Sequence, residues 1–426
     1  MGNSLAANQS ICCAFCSSKA MIEIMNFGDV ALAGGFLKPD QFAGESYYPL
    51  RLHFCCDCFA VQVIDKVSPE VLFKDYFYFS SSIRTLRDHS IDYATEVTSR
   101  FLTPEAATVI EFGCNDGVLL RPLADQKIRT VIGVDPATNI VNTINDPRIK
   151  IINDFFNERV AEEIIAAHGK ADMVVANNVY AHIPDIQGIT RAIRDVLSDE
   201  GVFVFEVHYL GKVINEFQYD MIYHEHLYYY SLLSAMKHFE RYGMMVFDVK
   251  PVPIHAGSMR FYVCKKGSKR GSSVSPEVTA LQNEELAKGF HLPETFFRFA
   301  TDVAESKATL MSLLNQLKER GHAIAGYGAS GRANTMIQYC GIDHGHLDYI
   351  IDDAPAKSGF YTPGSHFKIH PSSILDQPHP PDYLLIFAWS FLDEILKRSQ
   401  KYIVSGGRVI VPLPEVKIMP DPMEHH

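Results

Sequence analysis

The chain has 426 residues, 47% of them hydrophobic and 21% charged, with 39 Lys and Arg against 50 Asp and Glu for a formal net charge of -11. This describes an ordinary globular protein with material for two or three cores. The acidic balance excludes a nucleic-acid binder, which needs a basic face against phosphates, and no apolar run approaches the roughly 18 residues of a membrane span.

The opening residues, Met1 to Ser10, lack the basic and then apolar order of a secretory signal, so a cytoplasmic location with no membrane partner is expected. Most cysteines then fall before residue 60. Cys13 with Cys16 and Cys55 with Cys58 form two C-x2-C pairs. Each pair fits the tight turn that lets two thiolates grip one ion. Four thiolates leave no open position, so a structural Zn2+ is expected rather than a catalytic one. Cys12 and Cys56 are the alternative ligands, and a set of buried free thiols is the alternative reading. Residues 1–68 are read as a zinc-binding domain.

Residues 69–268 alternate β-rich runs with helix-type spacing. Strands are expected at 107–112, 130–135, 150–153, 172–177 and 201–207, with helices between them, as at 186–197. Two closing strands follow at 244–252 and 258–265. Such alternation builds a parallel sheet with helices on both faces, and seven strands is the count of a class I methyltransferase core. Residues 269–320 read as a helical connection. Residues 321–420 repeat the alternation, with strands expected at 322–328, 347–353, 383–388 and 408–413. The fold class is therefore α/β: a Rossmann-like methyltransferase core between a small zinc-binding domain and a C-terminal Rossmann-like domain.

The first core strand ends in Glu111-Phe112-Gly113-Cys114-Asn115-Asp116-Gly117. Gly113 and Gly117 are expected to let the backbone pass close to a ligand. The spacing is not the G-x-G-x-x-G of a dinucleotide site. Glu111 instead suits a cationic ligand with an α-amino group, and Asn115 lies in the same turn. Asp135, at the second strand's end, can accept from ribose hydroxyls. Asp154 and Phe155, at the third, offer a polar group and a ring to adenine. Asn177 ends the fourth. Together these positions indicate an S-adenosylmethionine site.

Downstream come His182, His208 and then Tyr223-His224-Glu225-His226 among aromatics. Aromatic cover would desolvate these groups and move their pKa values. A zinc-protease reading lacks the H-E-x-x-H spacing. A satisfied polar network is the bland alternative. In the last block, Gly328, Ser330 and Arg332 sit in a Gly-rich strand-to-helix turn whose amides favour phosphate.

Several of these motifs are shared as a set. The paired cysteines, Glu-Phe-Gly-Cys-Asn-Asp-Gly, Asn-Asp-Phe-Phe, His-Ile-Pro, Tyr-His-Glu-His, Ala-Gly-Ser-Met-Arg, Gly-Tyr-Gly-Ala-Ser-Gly-Arg-Ala-Asn-Thr and Phe-Ala-Trp resemble, in order and spacing, the nucleotide-deoxysugar C-methyltransferases. The resemblance covers nearly the whole chain. It implies a three-domain monomer that methylates C-3 of a nucleotide-linked 4-keto-deoxysugar, with S-adenosylmethionine as donor. It carries reactive roles to Tyr78 (or Tyr76), His182, Tyr223, Glu225 and His226. Substrate contacts are expected from Tyr78, His182, His208, Tyr223, Gly328, Ser330 and Arg332. His226 is expected to be the base that takes the C-3 proton, with Glu225 and His182 in support and Glu225 as the alternative base. The rival readings are an O- or N-methyltransferase of another small metabolite, an NAD-dependent oxidoreductase working through the C-terminal fold, and a zinc-stapled interaction protein.

Overall fold

A computed structural model describes residues 11–73 and 79–419. Tyr78 and its alternative Tyr76 lie outside the described residues.

Strands β1 (Met21–Ala31), β2 (Tyr47–Cys55) and β3 (Val61–Val63) form an antiparallel ribbon. Leu50, Leu52 and Phe54 alternate along β2 and are buried, the period of two that gives a strand one apolar face. The cysteine pairs occupy two copies of one turn. Ser17 N donates to Cys13 O and Phe59 N to Cys55 O, each over a short bond, and both Ser17 and Phe59 take a left-handed φ. The turns bring Cys13 Sγ to 3.4 Å from Cys58 Sγ and Cys16 Sγ to 3.5 Å from Cys55 Sγ. All four sulfurs lie within 4.8 Å of one another. Zn–S bonds of about 2.3 Å in a tetrahedron need sulfurs about 3.8 Å apart, so the quartet fits zinc. Hydrogen bonding to Cys13 pulls the Cys55 thiol down to about 2, while sharing with its neighbours pushes Cys58 up.

The next five strands are β4 (Thr108–Phe112), β5 (Thr130–Val134), β6 (Ile149–Ile152), β7 (Ala171–Asn177) and β8 (Leu197–His208). The two-residue β9 (Tyr228–Tyr229) leaves this sheet and pairs with β3, so the zinc domain's sheet is completed by the segment just after His226. Then β10 (Met244–Val252) and β11 (Ser258–Lys265) close the core. The resulting order is β10-β11-β8-β7-β4-β5-β6, parallel except at β11 and β10. The seven expected strands all form. The chain reverses direction of winding between β4 and β7, and the crevice beyond their carboxyl ends is where such sheets bind ligands.

The helical connection is two helices, Pro276–Ala287 and Pro293–Glu319. Gly289, whose φ of +73 strains any L residue, separates them, and Pro293 starts the second. The longer helix buries Phe296, Phe299, Val303, Leu310, Leu314 and Leu317 at helical spacing. Its core also holds Phe54 of the zinc domain and Ile337 of the C-terminal domain, so this helix is the spine joining the two. No described helix is long and apolar enough to cross a membrane.

The C-terminal sheet holds β12 (Ile324–Tyr327), β13 (Ile350–Ile351), β14 (Ile369–His370), β15 (Tyr383–Ile386), β16 (Arg408–Val411) and β17 (Lys417–Met419). Its order is β14-β13-β12-β15-β16-β17, with only β17 antiparallel. The strands β14 and β17 are additions to the four expected from sequence.

Candidate active site

The crevice beyond β4 and β7 is lined as the strand ends dictate. Glu111 is 3% exposed, and burial, aided by the charge of Asp135, raises its pKa well above the carboxylate range. Its Oε2 and the neighbouring Asn177 Oδ1 are buried acceptors with no hydrogen-bond partner among the described residues. Two orphaned acceptors side by side are costly, and an ammonium group, which only donates, would satisfy both. The α-amino group of S-adenosylmethionine fits this need.

Asp135, also buried, accepts from Asn115 N and Ala137 N, both at 2.9 Å. It thereby fixes the turn after β4 and keeps lone pairs for ribose hydroxyls. Asn115 sits at φ +49, and its Oδ1 accepts from Ser80 N. Asp116, not singled out from sequence, accepts from the Ser81 hydroxyl at 2.5 Å and so ties the turn to the chain entering the long helix Arg84–Phe101. Asp154 pairs with Arg159, and Phe155, just past β6, is 45% exposed. Phe156 instead stacks on Phe112 at 5.0 Å and belongs to the core.

The two glycines of the turn also meet an internal need. A Cβ on Gly113 (φ +65) would lie 2.5 Å from Val179, and one on Gly117 (φ +76) would press on Ile144 at 3.3 Å. The protein's own packing and the left-handed backbone exclude a side chain there.

Three of the reactive candidates, Tyr223, His226 and His182, bring their rings together. All three, and Glu225, are half-buried. The His226 ring lies 4.0 Å from that of Tyr223 and 5.0 Å from that of His182, centroid to centroid. His226 Nδ1 is 2.8 Å from Met221 O, and His182 Nδ1 is 2.5 Å from Glu225 O. A carbonyl can only accept, so Nδ1 carries the proton in each ring and the lone pair belongs to Nε2. Burial, with His182 adding to it, drives the His226 pKa well below the usual imidazole value. Burial alone raises Glu225 to about 7. Gly34 of the zinc domain faces this carboxylate, since a Cβ there would stand 3.0 Å from Glu225 Oε1.

His208 Nε2 donates to Gln218 Oε1 at 2.6 Å, and burial, then the charge of Arg332, pushes its pKa down to about 3. His255 was missed from sequence. Three successive left-handed residues, His255, Ala256 and Gly257, carry it between β10 and β11 into the field of Glu206 and Arg332. The signal was its place next to the shared Ala-Gly-Ser-Met-Arg run.

The C-terminal turn is held by contacts within the protein. A Cβ on Gly328 would meet Ala388 at 2.7 Å, so its opening admits the neighbouring loop. Arg332 Nε donates to Asp220 Oδ2 at 2.9 Å in a buried ion pair. Ser330 caps the helix Gly331–Cys340, accepting from Ala333 N. Gly331 abuts the Tyr223 ring at about 3.4 Å from a built Cβ. The turn also repeats the methyltransferase arrangement, since Asp352 accepts from Ala329 N and Ala354 N as Asp135 does from Asn115 N and Ala137 N.

Asp135→Ala should weaken S-adenosylmethionine binding by roughly 1–3 kcal/mol, the scale of lost charge-assisted hydrogen bonds. Calorimetric titration with S-adenosylmethionine reads it, and unchanged affinity would place the site elsewhere.

Comparison with known proteins agrees with this geometry. Residues 13–73 match a zinc binding domain family, residues 86–248 the Methyltransferase domain family, and residues 253–414 the C-methyltransferase C-terminal domain family. The chain is 32% identical over 408 residues to the C-methyltransferase NovU of Streptomyces niveus, covering 96% of each. It is 34% identical over 98 residues to a ubiquinone biosynthesis O-methyltransferase of Methylobacterium sp. (strain 4-46), covering 22% of this chain and 39% of that one. Among solved structures, the magnesium protoporphyrin IX methyltransferase ChlM of Synechocystis PCC 6803 aligns with a TM-score of 0.35 at 13% identity, over 45% of this chain and 89% of that one. With four thiolates set for a structural zinc, a crevice fitted to S-adenosylmethionine and a relative 32% identical over 96% of each chain, the chain belongs to the C-methyltransferase family.

Proposed function

We propose that the protein transfers a methyl group from S-adenosylmethionine to C-3 of a nucleotide-linked 4-keto-deoxysugar. The observation that carries the reading is the cluster of the Tyr223, His226 and His182 rings, with the His182 amide bonded to Val179 O, the residue packed on Gly113 of the cofactor turn. An O- or N-methyltransferase acceptor already has a lone pair, whereas a carbon acceptor needs a base that removes a carbon-bound proton.

The cofactor, when bound, supplies an activated methyl on its sulfonium. The ketone acidifies the C-3 proton. His226, held by the Met221 carbonyl with its lone pair on Nε2, takes that proton. Tyr223 donates toward the enolate oxygen, and His182 stands beside it. Burial keeps His226 neutral and ready to accept, and the imidazolium gains its counter-charge as the enolate forms. The nucleotide lies toward the helix Gly331–Cys340, whose amino end, capped by Ser330, sits against Tyr223 and favours phosphate. The turn's Gly328 shapes that end. Tyr78 joins the sugar site by resemblance alone.

One observation favours Glu225 as the base: its pKa of about 7 matches neutral operation. A pH profile separates the two. Glu225 is raised above its ordinary value, so any stability its protonated form lends is present below the usual carboxyl range and lost as pH rises through about 7. Its base form appears over that same rise. If Glu225 is the base, kcat/KM climbs through about 7. With His226 as the base, the limb lies below the usual imidazole value and the rate is flat near neutrality, because burial lowers that group.

A further inference from the structure

The proposal rests on the reading of His226 given above and concerns what aims it. The segment Tyr219–Met221 runs directly into the reactive residues. Within it Asp220 is fully buried. A single oxygen, Oδ2, accepts from Arg332 Nε and from Trp389 Nε1, each at 2.9 Å. Both donors belong to the C-terminal domain, on the helix Gly331–Cys340 and just after β15. The guanidinium lies over the Trp389 ring, 4.6 Å from its centroid, and Nη1 donates to Ser390 Oγ at 3.3 Å.

The next residue, Met221, provides the carbonyl that accepts from His226 Nδ1, and the same carbonyl accepts from the Tyr229 hydroxyl at 3.1 Å. Asp220 and the imidazole's anchor are thus one peptide apart. Tyr223 packs on Gly331, the residue before Arg332. The pairing is not a cheap way to fill space. Asp220 Oδ1 and Arg332 Nη2 are both buried with no hydrogen-bond partner among the described residues, and a buried ion pair with unsatisfied atoms is weak as a source of stability. What the arrangement does supply is a fixed direction for the Met221 carbonyl.

We propose that Asp220, held by Arg332 and Trp389 of the C-terminal domain, is a positioning residue for His226, fixing the carbonyl that orients its imidazole. The C-terminal domain then completes the methyltransferase site rather than serving only the substrate's nucleotide.

The test uses the full chain with Asp220→Asn and Trp389→Phe. The second keeps a stacked ring and removes only the Nε1–H donor, so it decides the matter if Asp220→Asn does not fold. Three quantities are read: kcat against KM, S-adenosylmethionine affinity, and the tautomer of His226 by nitrogen NMR of the imidazole. The expected result is a kcat about a hundredfold lower for Asp220→Asn and about tenfold lower for Trp389→Phe. KM and cofactor affinity should hold within about twofold, and the Nδ1–H tautomer of His226 should lose its dominance. Unchanged kcat, or a loss confined to KM with the tautomer intact, would overturn the proposal. If wild-type protein turns over no nucleotide-linked keto-sugar, the functional reading fails instead. The tautomer measurement, which needs no substrate, still decides the positioning role.

Discussion

His226→Asn should bind S-adenosylmethionine and the sugar nucleotide with near wild-type affinity and lose most turnover. A positioned general base contributes about 10²–10⁴-fold, so kcat should fall within that range. The Nδ1–H bond to the Met221 carbonyl leaves Nε2 as the proton acceptor, and an Asn amide can replace the donor but not the base. The same variant should stop solvent deuterium from entering C-3 in the absence of a methyl donor. Wild-type exchange by His226→Asn would move the base to Glu225, with Glu225→Gln the variant to compare. Because burial raises Glu225 to about 7, that variant should also remove any limb of the pH profile near neutrality.

The second large effect is expected at the metal. Cys58→Ser should lose zinc and most of the fold of the first domain together, because a structural zinc contributes about 10–16 kcal/mol of binding free energy in small zinc domains. The damage should also reach activity. Gln62 Nε2 donates to Cys13 Sγ at 3.1 Å, and Gln62 of β3 pairs with Tyr228 of β9, two residues beyond His226. Metal analysis, thermal unfolding and kcat should therefore fall in step. Purified protein without stoichiometric zinc but with ordinary stability would contradict this account.

What the sequence made legible was local. Strand-length apolar runs ending in Glu111, Asp135 and Asn177 placed the core sheet, because each strand end and its turn are written in a few adjacent residues. The C-x2-C pairs announced their turns for the same reason. The zinc domain's strands are less legible, since their sheet is finished by β9, far along the chain. The strands β14 and β17 are too short to show a period. The Gly-rich turn points Arg332 toward a phosphate, and the sequence does not show its partner Asp220, 112 positions away. Gly113 also carries a packing constraint that the sequence does not show, from Val179 just past another strand end. Long-range pairing, not local chemistry, decided each of these.

The central claim is methylation of carbon at C-3, and product analysis tests it most directly. The protein would be incubated with S-adenosylmethionine carrying a 13C-labelled methyl and a panel of nucleotide-linked 4-keto-deoxysugars, and the product examined by NMR. The expected product carries a labelled methyl bonded to C-3 of the sugar, with the original C-3 proton gone. A labelled methyl on oxygen or nitrogen, with the C-3 proton retained, would contradict it.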